Sequence, residues 1–233
     1  MITMSQYSLE VGLTPEGPCS YLPEQQERLA VAMDQELHSP LGYQALIRLG
    51  FRRSGSTIYK PMCNACSACQ PLRIDADEFL PSKSQKRIIN KLSSFQWEIK
   101  TEMDEGWFDL YERYITARHQ SGSMFPADKN QFFEFSQAKW LPSHFLHIYE
   151  DHILIAIAVT DILSDSVSAM YTFFEPNHSL SLGTVSILIQ LQLCTKLSKK
   201  WLYPGYQIDN CPAMKYKDRY KPNQKLVNMV WQG

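Results

Sequence analysis

Hydrophobic positions recur in two registers along this 233-residue chain, and the register changes near residue 144. Before that point the first ~80 residues are rich in turn signals, and apolar residues at helical spacing follow. Trp107, Leu110, Tyr111, Tyr114 and Ile115 recur three and four apart, which predicts a helix with an aromatic face turned to the core. Gly122 and Pro126 break the chain, and Asp128 stands where a cap would open a second helix carrying Phe132, Phe133 and Phe135. Further upstream, residues 22–37 read as a helix ended at Ser39-Pro40, and Gly42 to Leu49 as a short helix closed by Gly50. Ser82, with Gln85 three residues on, forms a capping box that opens a helix in which Ile88 and Leu92 turn inward.

From residue 144 the pattern is that of strands. Phe145–Tyr149, His152–Thr160 and Val167–Phe174 are rich in β-branched and aromatic residues, with turns at Asp151-His152 and Ser164–Ser166. The run from Val185 to Leu197 is too apolar for a surface helix. Trp201–Ile208 reads as a further strand, bulged or bent at Pro204-Gly205. Three strands, a helix and a strand describe an α/β (α+β) domain. The order fits a GNAT-like (N-acetyltransferase-like) sandwich, and other α+β folds as well. The expected organisation is a cysteine-containing N-terminal domain over residues 1–95 and a GNAT-like acyltransferase domain over 96–233.

Composition adds little: 44% hydrophobic, 20% charged and a net charge of −1 are those of an ordinary globular protein. The longest apolar run, Ile153 to Val159, is far short of the ~20 residues a bilayer requires, and no secretory signal core precedes it. A soluble cytoplasmic protein with no membrane partner is expected. Charge distribution says more. Residues 196–225 hold eight Lys or Arg against two Asp, and 83–91 hold Lys83, Lys86, Arg87 and Lys91 with no acid. Lys83, Arg87 and Lys91, four apart, predict one basic stripe suited to a phosphate-bearing partner.

The cysteines carry the sharpest chemistry. Cys63, Cys66 and Cys69 are three apart in a loop flanked by Pro61 and Pro71, and Cys19 lies upstream to complete a set of four. Soft thiolates at that spacing suit zinc or an iron–sulfur cluster, and the residues leave the choice open. Reduced, buried thiols are the plainer alternative. Cys194, in the apolar helix, reads as core.

Five ordered motifs span the chain. They are Cys19-Ser20-Tyr21-Leu22, Gly50-Phe51-Arg52-Arg53-Ser54-Gly55, the run from Tyr59 through the cysteines to Arg73, Phe79 to Arg87, and Tyr206 to Lys217. Together they resemble the bacterial branch of the N-end-rule aminoacyl-tRNA–protein transferases, the aspartate/glutamate leucyltransferases related to eukaryotic arginyltransferases. Two departures stand out. Leu22 occupies a place where arginyltransferases carry a second cysteine, and Ala213 one where the family has lysine before Met214.

The resemblance implies a GNAT-like transferase that moves leucine from leucyl-tRNA to the α-amine of proteins beginning with Asp or Glu, marking them for degradation. No cofactor is required for the transfer itself. By motif match, Tyr216 and Lys217 are the catalytic candidates, and Arg73, Lys83, Arg87 and Lys215 the substrate-binding ones. Cys19, Cys63, Cys66 and Cys69 are the metal or cluster candidates. The alternatives are an arginyl donor with the same mechanism, an acetyl-CoA-dependent N-acetyltransferase, and a non-enzymatic metal- or cluster-containing nucleic-acid-binding protein.

Overall fold

The computed structural model describes residues 9–233; residues 1–8 of the expected first domain lie outside the described residues. Fourteen strands are found among them. In chain order they are β1 (Val11–Leu13), β2 (Gly17–Pro18), β3 (Gln26–Glu27), β4 (Leu29–Ala32), β5 (Arg52–Ser54), β6 (Thr57–Pro61) and β7 (Gln70–Asp75). After these come β8 (Phe95–Lys100), β9 (Phe145–Glu150), β10 (Ile153–Ile162), β11 (Ser166–Phe174), β12 (Trp201–Gln207), β13 (Asn223–Val227) and β14 (Val230–Gln232). The helices are α1 (Pro40–Arg48), α2 (Lys83–Ile89), α3 (Trp107–Arg118), α4 (Lys129–Ser136), α5 (Leu182–Lys196) and α6 (Pro212–Lys215).

An eight-stranded sheet in the order β14-β13-β7-β12-β11-β10-β9-β8 forms the body, and a four-stranded sheet β1-β4-β6-β5 leans on it. Alternation sorts the large sheet's side chains onto two faces. Ala156, Ala158 and Leu146 pack with α5, whereas Phe145, Ile157, Val159 and Phe173 pack with the aromatic stripe of α3 and with Phe132 of α4. Helix α5 is buried nearly all round, as its composition requires. The caps expected from sequence are present: the Ser82–Gln85 capping box opens α2, and the Asp128 side chain accepts from the Gln131 amide. Asp151 and His152 both adopt positive φ in the tight β9–β10 turn.

Two expectations are corrected. Residues 22–37 are not a helix; they form β3, β4 and a single 3-10 turn at Gln35–Leu37. Strand β4 is hydrogen-bonded between β1 and β6, with Ala30 and Ala32 turned into the core, and that tertiary pairing overrides the weak helical preference of Ala, Leu and Glu. Helix α2 ends at Ile89, so Lys91 continues the basic stripe only beyond the helix. The large sheet also takes strand β7 from within the first ninety-five residues, between β12 and β13, so the two expected domains share it.

One relationship positions the site. Strands β11 and β12 are parallel and pair only over Ser166–Ser168 and Trp201–Tyr203. Beyond Ser168 and Tyr203 no register joins them, and β12 bulges between Leu202 and Gly205 where it pairs with β7. The hydrogen-bonded ladder of the large sheet therefore opens at its centre, between β11 and β12.

Candidate active site

Gly205 sits on the bulge at φ +103°, a conformation that side-chain-bearing residues rarely adopt. Its missing side chain leaves room for the Lys217 ammonium, whose Nζ lies 3.3 Å from where a Cβ would stand. Lys217 Nζ donates to the Tyr206 carbonyl at 2.9 Å and approaches Met214 Sδ at 3.2 Å. Burial, and then the nearby Arg52 cation, bring the pKa of Lys217 down from its ordinary 10.5 to about 7. The turn that carries it is held in place. The Asp218 amide donates to Gln207 Oε1 at 3.2 Å, and Asn223 Nδ2 donates to the carbonyls of Asp218 and Tyr220 at 3.2 and 2.7 Å. Tyr216, beside Lys217, is pushed up to about 12 by burial, with Tyr114 as a lesser cause. It stays protonated at neutral pH and able to donate.

Arg52 braces the point of divergence. Its Nη1 donates to the Tyr203 carbonyl on β12 at 3.1 Å and its Nη2 to the Ala169 carbonyl on β11 at 3.0 Å. Tyr206 ties the same strand to the turn between α1 and β5, its hydroxyl donating to the Gly50 carbonyl at 2.9 Å.

The four cysteines line one cavity of about 450 Å³, whose wall includes Tyr59 and Tyr206. The Cys69 thiol is pushed up to about 12, first by burial and then by Cys19, Cys63 and Cys66. The four sulfurs thus share one space and would repel as thiolates. A soft cation relieves that repulsion, so the donor set fits a thiolate-bound metal or cluster. Among the described residues no three His, Cys, Asp or Glu side chains stand in a closed ligand arrangement. Cys194 is fully buried in the core, as its helix suggests.

The remaining sequence candidates divide. Lys83, Arg87 and Lys215 are exposed. Gln85 Nε2 donates to the Arg219 carbonyl at 3.3 Å and Leu80 bridges Lys221, so α2 and the basic turn after α6 lie side by side. The two basic segments of the sequence therefore meet on one surface. Arg73 is engaged by aromatic rings. Its guanidinium lies 3.7 Å from the ring centre of Trp201 and 4.4 Å from that of Trp231, and its Nε donates to Gln224 at 2.8 Å. That is a packing role. Arg52 is not among the residues the sequence motifs single out; its one local signal is the unbroken Arg52-Arg53 pair within an otherwise uncharged motif.

The family described as "Arginine-tRNA-protein transferase, N terminus" matches residues 17–87, and "Arginine-tRNA-protein transferase, C terminus" matches residues 106–227. The chain is 55% identical over 227 residues to an aspartate/glutamate leucyltransferase of Vibrio vulnificus (strain CMCP6), covering 97% of this chain and 98% of that protein. It is 45% identical to the one from Aeromonas hydrophila over 97% of this chain and 95% of that one. Among solved structures, that of L-PGS from Bacillus licheniformis has a similar fold, with a TM-score of 0.53 at 10% identity over 89% of this chain and 79% of that one. Among the described residues no helix is long and apolar enough to cross a membrane. With both family descriptions matched in order and near-full-length relatives at such identity, the chain belongs to the arginine-tRNA-protein transferase family of aminoacyltransferases.

Proposed function

We propose that this enzyme transfers leucine from leucyl-tRNA to the N-terminal α-amine of proteins beginning with Asp or Glu, in the cytoplasm, and so marks them for degradation. The observation that carries the chemical part is Lys217, buried where β11 and β12 diverge and brought down to about 7. An α-amine must be neutral to attack an ester, and its own pKa is about 7.7–8.0. A lysine that is half neutral near pH 7 is suited to take its proton.

The step balances without a further reactant. The amine nitrogen forms the new amide bond, and the bond from the leucyl carbonyl to the ribose oxygen breaks. The amine's proton passes to Lys217, and Tyr216, protonated at neutral pH, supplies a proton to the leaving oxygen. Holding both substrates in one opening supplies much of the rate, because it makes a bimolecular aminolysis effectively unimolecular. The basic surface formed by α2 and the turn after α6 takes the tRNA phosphates, with Lys83, Arg87 and Lys215 among its cations. Cys19, Cys63, Cys66 and Cys69 would hold zinc or an iron–sulfur cluster. When bound, zinc ties the cysteine loop to the N-terminal sheet, and a cluster makes the activity sensitive to oxygen.

The test is transfer of radiolabelled amino acid from Leu-tRNA and from Arg-tRNA to peptides starting with Asp, Glu or Ala. Label from Leu-tRNA on the Asp and Glu peptides alone is the expected result. Label from Arg-tRNA overturns the donor, and none from either overturns the reading.

A further inference from the structure

Two arginines of this chain are buried among the described residues, Arg52 and Arg53, and they are treated differently. Arg53 is neutralised by Asp161. Arg52 has no carboxylate partner among the described residues, and residues 1–8 contain no Asp or Glu to supply one. A buried cation without a counter-charge is costly, and two carbonyl oxygens offset that cost only in part. Arg52 donates once from each of Nη1 and Nη2, to the carbonyls of Tyr203 and Ala169, and among the described residues Nε has no hydrogen-bond partner. Three of the five N–H groups of the guanidinium thus find no acceptor among the described residues.

Tyr203 and Ala169 flank the point where pairing between β11 and β12 stops, so the guanidinium stands at the apex of the opening. Lys217 reaches the same stretch of β12 two and three residues further on, at Gly205 and Tyr206. An N-terminal Asp or Glu carries an amine and a carboxylate on the same residue. A site for it needs a proton acceptor and a cation close together, and the cation best shaped for a carboxylate is a guanidinium fork. The other sequence candidates do not offer this. Arg73 is held between two tryptophans, and Arg87 and Lys215 are exposed on the basic surface.

We propose that Arg52 is the specificity-determining residue for the acceptor, receiving the side-chain carboxylate of the N-terminal Asp or Glu in the opening between β11 and β12. The inference rests on the functional reading above and names the cation which that reading leaves unassigned. Asp and Glu differ by one methylene, a difference that a flexible N-terminus absorbs, whereas Asn and Gln present no negative charge to Arg52.

The experiment compares wild type, Arg52→Gln and Arg52→Lys in leucine transfer to peptides starting with Asp, Asn, Glu or Gln, with KM for Leu-tRNA measured alongside. In Arg52→Gln the preference for Asp over Asn is expected to fall about 100-fold through the acceptor KM, with KM for Leu-tRNA within about twofold of wild type. In Arg52→Lys, which keeps the charge without the fork, the preference falls about tenfold; this variant decides the matter if Arg52→Gln does not fold. Equal loss toward Asp and Asn peptides, or a shift in KM for Leu-tRNA alone, assigns Arg52 to bracing the strands and overturns the proposal. Absence of any transfer by wild type is a different failure: it overturns the functional reading, and this inference with it.

Discussion

Arg53 Nε donates to both carboxylate oxygens of Asp161 at 3.0 Å, and each side chain is only 1% exposed. The pair joins β5 of the small sheet to β10 of the large one, and Ser168 Oγ donates to the same carboxylate at 3.3 Å. It locks the segment that carries Arg52 against the strands that open. Removing one partner strands a buried charge, so Arg53→Met or Asp161→Asn is expected to cost about 3–5 kcal/mol in urea unfolding. The double variant Arg53→Met/Asp161→Leu recovers most of that loss. Additive losses in the double variant would show that the two residues act independently.

Lys217 gives two pH signatures. Transfer is expected to rise with pH through about 7 in wild type. In Lys217→Met only the acceptor's α-amine remains to titrate, so the slower residual rate rises through about 7.7–8.0 instead. A pH profile of kcat/KM decides this. The stability signature follows from the direction of the shift. The folded pKa lies below the ordinary lysine value of 10.5, so between 10.5 and about 7 the unfolded chain binds a proton that the folded chain does not. Wild type therefore loses stability relative to Lys217→Met as pH falls through that window, and the difference levels off below about 7.

The basic surface predicts a salt dependence. Binding of Leu-tRNA weakens linearly in log salt, and substitution of Lys83, Arg87 or Arg219 by Ala reduces the slope by about 1 each while leaving the acceptor KM unchanged. Filter binding at several salt concentrations reads the slope. An unchanged slope in all three variants would place tRNA elsewhere.

The cysteines are expected to bind as a set. Protein purified anaerobically carries zinc, or iron with sulfide, in stoichiometric amount, and Cys69→Ser loses it together with several degrees of melting temperature. Metal analysis and thermal melts on the two proteins check this. Equal melting temperature with metal absent from both would leave the thiols as a cavity lining.

Arg73 is expected to behave as packing. Arg73→Lys cannot lie flat between Trp201 and Trp231, and it loses about 1–2 kcal/mol of stability. The Asp-over-Asn preference is unaltered, in contrast with the Arg52 variants. A changed preference would return Arg73 to the acceptor site.

The sequence by itself determined the elements whose signals are local. The capping box at Ser82, the aromatic stripe of α3, the apolar α5 and the bulge at Gly205 depend on neighbours a few residues away, and each stands where it was expected. The ordered motifs also carried the family, because chemistry at fixed spacing leaves a trace in the sequence. Tertiary structure decided what depends on distant partners. Strand β4 is a strand because β1 and β6 flank it, though its residues alone suggested helix. Arg73 and Arg52 are both arginines in motifs, and nothing local separates them. One is captured by Trp201 and Trp231, more than a hundred residues away in the chain, and the other is carried to where β11 and β12 part. Lys217 is an ordinary lysine in sequence. Its near-neutral character comes from burial against Gly205 and from Arg52, and both arise only when the chain has closed on itself.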